Sequence, residues 1–388
     1  MSNKEQRKAP VLRFKGFTDD WEQRKFSDIA QRISTNININ LPNVTYDDID
    51  SENETLNKGI KNLSSGKKGI LFQKNDILFG KLRPYLNNII KVDFKGIAVG
   101  DFWVLRAYED SSFLFSLINT PQYKYIANIS SGSKMPRSDW NLVSKYLFCI
   151  PSEKEQSHIG NLILKLSQLI TLQQRKLDEL DQLKKGTQQR LIVNNAIPQI
   201  RFNKFSGNWV RRKLNEITNY RNGKAHEKVI NSNGKYIVIN SKFISSNGTI
   251  IKHTDKNLSP LQKNDITFVL SDVPNGKALA KTYLVPFNNV YSLNQRIAAI
   301  KASNETDPYF LYFLLNRNEY FLRFDDHVGQ TNLSKSDILS FTNFYPGLKE
   351  QQTIGKLLKI THERIINEKT KIVELRVLKE FLLQKLFI

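Results

Sequence analysis

The sequence predicts an α+β protein in which two similar globular domains are joined by two long antiparallel helices, a tandem repeat with pseudo-twofold symmetry. Three observations predict this class. The chain matches itself at a shift of about 188 to 198 residues. Each half begins with short runs of branched and aromatic residues, which are typical of strands. Each half ends in a stretch whose leucines and isoleucines recur at spacings of three and four, which predicts a long amphipathic helix.

The repeat rests on short motifs that return in the same order in both halves. They are PVLRF at residues 10–14 and PQIRF at 198–202, a tryptophan at 21 and 209, QKNDI at 73–77 and 262–266, Ser-Asp at 138–139 and 336–337, and Glu-Gln followed by Ile-Gly at 155–160 and 350–355. No single match is long, but their common order predicts a duplication.

The predicted boundaries follow from the repeat. They give a first globular domain at 1–150, a central helix at 151–197, a second globular domain at 198–346 and a distal helix at 347–388. Ser152 and Glu155 have the spacing of a capping box, which predicts the start of the central helix.

The apolar stripe of each long helix needs a partner, so the second helix is expected to run back along the first as a coiled coil. About 40 residues rising ~1.5 Å each would form a rod of ~60 Å. The predicted seam, which could also accept helices of partner chains, consists of Leu162, Leu166, Leu169, Leu177, Leu180, Leu183, Leu358, Ile365, Ile372, Leu375 and Leu378.

The charge balance indicates a polyanionic partner. Lysine and arginine number 58 and the acidic residues 37, so the net charge is 58 − 37 = +21. Such an excess favours nucleic acid over an anionic membrane. The expected pseudo-twofold arrangement of the two domains matches the local symmetry of double-stranded DNA, which is therefore the expected partner. No run of about 18 apolar residues is present, and the first ten residues are polar, so a cytoplasmic protein without a membrane partner is expected.

Two kinds of polar, basic segment in each half are predicted to bind DNA. One follows a strand and the other precedes the long helix. Lysine and arginine suit phosphates and guanine, whereas asparagine and glutamine suit adenine. The candidates are Lys81, Arg83, Tyr85, Ser133, Lys134 and Arg137 in the first half, and Lys277, Lys281, Asn294, Gln295, Gln330, Thr331, Asn332 and Lys335 in the second. The alternative is that these loops only carry solvated charges.

No catalytic site, metal site or cofactor site is predicted. The sequence has neither a GxxxxGK[ST] phosphate loop nor a GxGxxG motif, and its five histidines lack metal-ligand spacing. The single cysteine, Cys149, lies in an apolar run and is expected to be structural. Residues 307–310 (DPYF) faintly resemble a methyltransferase box, but the position matches a helix start in the first half.

Taken in order, these motifs resemble the specificity subunit of type I restriction–modification systems. The resemblance is carried by the tandem plan, by Trp21 and Trp209, and by three stretches of sequence. These are DILFGKLRPY at 76–85 and the helix openings PSEKEQ at 151–156 and PGLKEQ at 346–351. The second domain departs from the KLRPY pattern, which is expected if it recognises a different DNA sequence.

The resemblance implies two target recognition domains that each read part of a bipartite DNA sequence. It also implies conserved spacer helices on which two modification subunits dock, and restriction subunits in the same complex. S-adenosylmethionine, ATP and Mg²⁺ would then bind to the partner subunits, and this chain would be non-catalytic. Three alternatives stay open: a stand-alone DNA-binding regulator with a coiled-coil scaffold, a diverged nuclease or methyltransferase, and helices that merely join two unrelated binding domains.

Overall fold

The computed structural model describes residues 9–129, 135–274 and 276–388. The chain divides into two compact units, Met1–Leu177 with Glu368–Ile388, and Asp178–Asn367. Each unit therefore contains the beginning of one long helix and the end of the other. Within the described ranges, no helix combines the length and the apolar character needed to cross a membrane.

The first unit contains three short helices and the beginning of a long one, α1 (Ser111–Ile118), α2 (Pro121–Asn128), α3 (Trp140–Lys145) and α4 (Glu153–Leu191). Its strands are β1 (Glu22–Lys25), β2 (Ala30–Ile33), β3 (Asn36–Ile37), β4 (Asn43–Val44), β5 (Ile49–Asp50), β6 (Thr55–Leu56), β7 (Gly69–Phe72), β8 (Ile77–Gly80), β9 (Ile89–Lys91), β10 (Gly96–Ala98), β11 (Phe102–Ala107) and β12 (Leu147–Ile150). One sheet has the order β2-β11-β8-β9, another has β3-β7-β10-β4, and β1 pairs with β12.

The second unit contains the helices α5 (Leu214–Ile217), α6 (Ser241–Ser245), α7 (Pro308–Leu315), α8 (Glu319–Leu322), α9 (Lys335–Leu339) and the beginning of α10 (Leu348–Lys385). Its strands are β13 (Val210–Lys213), β14 (Thr218–Asn222), β15 (Tyr236–Ile239), β16 (His253–Thr254), β17 (Ile266–Val269), β18 (Ser271–Asp272), β19 (Thr282–Leu284), β20 (Tyr291–Leu293), β21 (Ile297–Ala302), β22 (Thr331–Asn332) and β23 (Thr342–Tyr345).

The two units share one topology. The sheet β14-β21-β17-β19 of the second unit has the strand order of β2-β11-β8-β9 in the first, and the pair β13-β23 corresponds to β1-β12. A parallel pair accompanies each sheet, β4 with β10 and β15 with β20. The predicted fold class, a duplicated α+β architecture with two long helices, is therefore confirmed.

The end of each long helix completes a core that begins elsewhere in the chain. In the first unit, Phe387 lies with its ring centroid 5.3 Å from that of Phe113 and 6.4 Å from that of Trp21. In the second unit, Leu191 at the end of α4 is buried in one cluster with Trp209 and Leu358. The repeated tryptophans are thus core residues that receive the helix ends.

Within each unit the two long-helix segments run antiparallel. In the first unit Ile159 shares a core with Leu386, while Lys176 Nζ lies 2.6 Å from Glu368 Oε1. Because the residue numbers rise along one segment and fall along the other, the directions are opposite. The second unit has a corresponding contact between Lys184 Nζ and His362 Nδ1, 3.0 Å apart.

The repeated Glu-Gln pair holds the start of each long helix against the rest of its unit. Both oxygens of Glu155 accept from Arg13, at 2.7 and 2.8 Å, and both oxygens of Glu350 accept from Arg201, at 2.8 and 2.6 Å. The side-chain hydrogen bond with Glu155 raises the pKa of Arg13. The predicted capping box of Glu155 is therefore wrong, because its carboxylate binds a guanidinium from the repeated opening segment.

The repeated Ile-Gly places a glycine where a short helix meets the long one. A Cβ on Gly160 would lie 2.4 Å from the backbone nitrogen of Phe113, at the first turn of α1. A Cβ on Gly355 would lie 2.4 Å from Oδ1 of Asp307, which caps α7. Such distances are well inside van der Waals contact, so only glycine fits at either position.

Candidate nucleic-acid interface

In the first unit, the backbone brings the two predicted DNA-binding segments together. Lys81 O accepts from Ser138 N at 2.9 Å, and Arg83 N donates to Pro136 O at 2.8 Å. Leu82 and Arg137 form an isolated antiparallel bridge between these bonds. The loop after β8 and the loop before α3 therefore form one surface, which residue types alone did not predict.

An aspartate that the sequence reasoning missed organises the cations of this surface. Asp101 precedes β11, and its carboxylate lies 3.5 Å from Lys81 Nζ and 3.0 Å from Arg137 Nη2. The Tyr46 hydroxyl donates to the Asp101 carbonyl at 2.7 Å. Burial raises the pKa of Tyr46 to about 12, so the hydroxyl stays protonated at neutral pH. One carboxylate thus holds two partly exposed cations in fixed positions.

Aromatic side chains form the floor of a shallow cavity of about 360 Å³ between these cations. The guanidinium of Arg32 lies 4.8 Å from the ring centroid of Trp140, a cation–π arrangement. Trp140 in turn packs edge-on against Trp103, with the centroids 5.2 Å apart. Lys81 and Arg137 line the same cavity, so three cations surround it. Arg32 was also missed, because it comes from β2 and reaches the cavity only through the register with β11.

Next to the cavity, a short 3₁₀ turn presents an aromatic ring. Pro84–Leu86 form this turn between Arg83 and Asn87, whose φ angles of 50° and 53° are left-handed. Left-handed residues at both ends reverse the chain sharply, so Tyr85 projects with 55% of its surface exposed. Arg83 is exposed as well. Ser133 and Lys134 lie outside the described residues.

In the second unit, the strands β18 and β22 form a short antiparallel pair at the place that corresponds to the bridge between Leu82 and Arg137 in the first unit. Ser271 pairs with Asn332, and Asp272 with Thr331. Gln330 Nε2 donates to Ser271 Oγ at 2.7 Å. Thr331 is buried, with its hydroxyl 3.2 Å from Asp325 Oδ1, so its side chain positions the loop rather than faces solvent.

The second cavity, of about 270 Å³, is lined by amides rather than by a set of cations. Asn294, Gln295 and Gln330 lie on its wall together with Arg296 and Asp272. Asn294 and Gln330, which are 36 residues apart in sequence, therefore meet at one site. An amide side chain can both donate a hydrogen bond to a base edge and accept one from it. These amides therefore suit a target different from that of the first unit.

The remaining candidates of the second unit lie around this cavity or away from it. Exposed Lys277 belongs to a loop closed on the Asp272 carboxylate, which accepts from Ala278 N at 2.6 Å. Lys281 pairs through its carbonyl with Val269 N at 3.0 Å, in the hairpin that leads to β19. Asn332 and Lys335 are both exposed.

The two repeated Ser-Asp motifs, whose residue types favour helix caps, lie at helix starts in different ways. Asp139 caps α3 by accepting from Asn141 N at 2.8 Å. In the second unit, however, Ser334 is the cap, and Asp337 reaches back to Ser334 N at 2.8 Å from inside the helix. Ser334 therefore takes the capping position in the second unit that Asp139 takes in the first, although the sequence repeat aligns Asp139 with Asp337.

The predicted seam residues occupy three environments on the long helices. Leu166, Leu177, Leu358, Ile365 and Ile372 are buried, Leu162, Leu180 and Leu375 are half-buried, and Leu169, Leu183 and Leu378 are exposed. Other apolar side chains of the helices are exposed too, among them Leu172, Val373 and Val377, each at 60% or more. Each unit therefore carries apolar helix surface that its own residues leave uncovered.

The described part of the chain contains no group of three or more histidine, cysteine or acidic side chains placed to hold a metal ion. Burial raises the pKa of the Cys149 thiol, which disfavours the nucleophilic thiolate. Asp307 caps α7 by accepting from Phe310 N at 2.8 Å, so the DPYF segment begins a helix, as predicted.

Comparison with known proteins agrees with this description. Residues 206–376 match the family described as "Type I restriction modification DNA specificity domain". The second half of the chain is therefore similar to that family. The predicted resemblance to type I specificity subunits is thereby confirmed, and the matched residues include Asn294, Gln295 and Gln330.

Two solved structures extend the likeness of fold over nearly the whole chain. A type I restriction-modification system S subunit from M. genitalium is 15% identical, with a TM-score of 0.68, covering 98% of this chain and 99% of that one. A chain from a study of complex assembly and conformational transition of the type I R-M system is 16% identical, with a TM-score of 0.53, covering 94% and 97%. At this level of identity the comparison supports the fold.

Proposed function

We propose that this chain is the DNA-sequence-recognition subunit of a type I restriction–modification complex. In this proposal it binds a bipartite DNA target and directs adenine methylation and restriction by partner subunits. The observation that carries the proposal is the duplicated loop pair. In both units the segment after the strand β8 or β17 meets the segment before α3 or α9, and the side chains at the junction differ.

The difference between the two surfaces supports two different half-sites. Lys81, Arg137 and Arg32 around the first cavity suit phosphates and guanine, whereas Asn294 and Gln330 in the second present amides. The shared framework with altered contact residues is what two readers of unlike sequences require.

Partner subunits supply the chemistry in this proposal. Two modification subunits would dock on exposed apolar side chains of the long helices, such as Leu172 and Val373, and would bind S-adenosylmethionine. Restriction subunits would bind ATP and Mg²⁺ and would cleave the DNA. The chain itself would be a non-catalytic, cytoplasmic protein that positions these subunits on the DNA.

Replacing Arg137 with alanine is expected to weaken binding of the target duplex by about tenfold and to reduce discrimination between base pairs only in the half-site that the first unit reads. The physical reason is the loss of one cation from the surface that Asp101 organises. The measurement is fluorescence anisotropy of the complex with its methyltransferase partner, on duplexes in which the base pairs of one half-site or the other are varied.

Arg24→Ala is the matched control, because it removes the same charge from the same unit. Arg24 lies near the other end of β11, where it pairs with Glu109 at 2.9 Å. Binding should be close to that of the unchanged protein. Equal losses from Arg24→Ala and Arg137→Ala would contradict the proposal, since only unspecific charge would then matter.

A further inference from the structure

A buried imidazole lies directly behind the amide-lined cavity of the second unit. His226 is 1% exposed and follows β14. Its Nδ1 lies 2.7 Å from the carbonyl oxygen of Lys224 and 3.2 Å from Oδ1 of Asn294, while its Nε2 lies 2.7 Å from Oγ of Ser292. The ring therefore contacts the backbone, a reading candidate and a buried hydroxyl at once.

The partners of the ring determine which nitrogen carries the proton. A backbone carbonyl can only accept, so Nδ1 must be protonated and must donate to Lys224 O. Ser292 Oγ accepts from Ser259 N at 3.2 Å, and its remaining hydrogen-bonding capacity engages Nε2. Both nitrogens of the imidazole are thus engaged.

The same proton fixes the orientation of the Asn294 side chain. The protonated Nδ1 also lies 3.2 Å from the amide, so the oxygen Oδ1 must face the ring, because a flipped amide would place two donors against each other. The backbone of Asn294 is also held, since Asn294 N donates to Ile239 O at 3.1 Å and residue 294 bridges Lys224. The amide nitrogen Nδ2 is therefore directed away from the buried ring.

We infer that His226 is a positioning residue that holds Asn294 with its amide nitrogen toward the DNA, so that Asn294 selects a hydrogen-bond acceptor on a base edge. The inference rests on the proposed function and extends it to one residue and one chemical class of target. The acceptors of this class in the major groove are purine N7, guanine O6 and thymine O4. Without the ring, a rotating amide would offer either a donor or an acceptor, and the preference would relax.

The test compares two substitutions, each of which retains a hydrogen-bonding group near only one of the two ring nitrogens. An asparagine side chain can place its NH₂ near the position of Nδ1, whereas a glutamine side chain reaches toward the position of Nε2. His226→Asn therefore keeps a donor for Asn294, and His226→Gln moves it toward Ser292. Binding of the complete complex is measured on duplexes in which each base pair of the second half-site is varied in turn.

We expect Asn294→Ala to reduce discrimination at one base pair by about tenfold, the size of one good side-chain contact. His226→Gln should reduce discrimination at that same base pair, His226→Asn should retain it, and adding Asn294→Ala to His226→Gln should cause no further loss. If His226→Gln kept full discrimination at the base pair where Asn294→Ala loses it, the positioning role of His226 would be overturned, but the reading role of Asn294 would stand. If Asn294→Ala altered no base pair, this surface would not be the reader, and the proposal for the second unit would fail with it.

A second measurement does not depend on DNA or on a variant that folds. In the unchanged protein with ¹⁵N-labelled histidine, the nitrogen chemical shifts report which ring nitrogen is protonated. We expect His226 to show a protonated Nδ1. A ring protonated at Nε2 alone would lack the donor to Asn294 and would overturn the inference.

Discussion

Replacing Arg201 with alanine is expected to lower the free energy of unfolding of the second unit by about 3–5 kcal/mol. The Glu350 side chain is only 3% exposed, and both of its oxygens accept from Arg201. Without the guanidinium, a carboxylate would remain buried and unpaired at the start of α10. The measurement is hydrogen exchange of peptides from β17 as a function of urea concentration.

A surface pair in the same unit provides the control for Arg201. Arg212 lies 3.4 Å from Glu305, and the two side chains are 41% and 75% exposed. Arg212→Ala should change the free energy of unfolding by less than about 1 kcal/mol, because solvent screens such pairs. Removing both charges, with Arg201→Met and Glu350→Leu together, should recover much of the loss. Equal effects of Arg201→Ala and Arg212→Ala would show that the pair does not hold the helix start.

Two glycines of the same helix α4 are expected to respond to alanine with opposite signs. Gly160→Ala should destabilise the first unit by about 1–3 kcal/mol, because the new Cβ would overlap the first turn of α1 and force the helices apart. At Gly186 nothing lies within 4 Å of an added Cβ. Gly186→Ala should therefore stabilise the chain by about 0.5–1 kcal/mol, through the better helix propensity of alanine.

The midpoint of thermal unfolding, recorded by calorimetry on the full chain, distinguishes these signs. The corresponding change at the repeat, Gly355→Ala, should behave like Gly160→Ala. If Gly160→Ala raised the midpoint of thermal unfolding, the result would contradict the inferred close packing of α1 on α4 at the repeated Ile-Gly.

Much of the fold could be predicted from the sequence because its signals are local. The repeated QKNDI predicted a structural feature common to both halves. In each copy its aspartate accepts a hydrogen bond from the first residue of the motif, Asp76 from Gln73 N and Asp265 from Gln262 N. Long runs of regularly spaced leucine predicted both long helices. The capping box predicted for Glu155 was wrong because a glutamate at this Ser-x-x-Glu spacing can equally form an ion pair with a residue from elsewhere in the chain. The arginine repeated at positions 13 and 201 was the signal that could have revealed it.

The candidate site could be predicted only in part, because its members meet through strand register. Lys81, Arg137 and Asn294 are recognisable by residue type in polar loops. Asp101 and Arg32 reach the first cavity from a strand start and a strand, and no local pattern distinguishes them from surface charges. His226 was one of five scattered histidines, and its contact with Asn294 depends on the pairing of residue 294 with residue 224.

The most direct test of the central claim, that each unit reads its own half of one DNA site, is a genome-wide map of methylated adenines in the host. The unchanged protein should give a motif of two short defined sequences separated by unspecified bases. Arg137→Ala should relax one half of this motif only, and Asn294→Ala should relax the other half only. A single uninterrupted motif, or relaxation of the same half by both variants, would contradict the account.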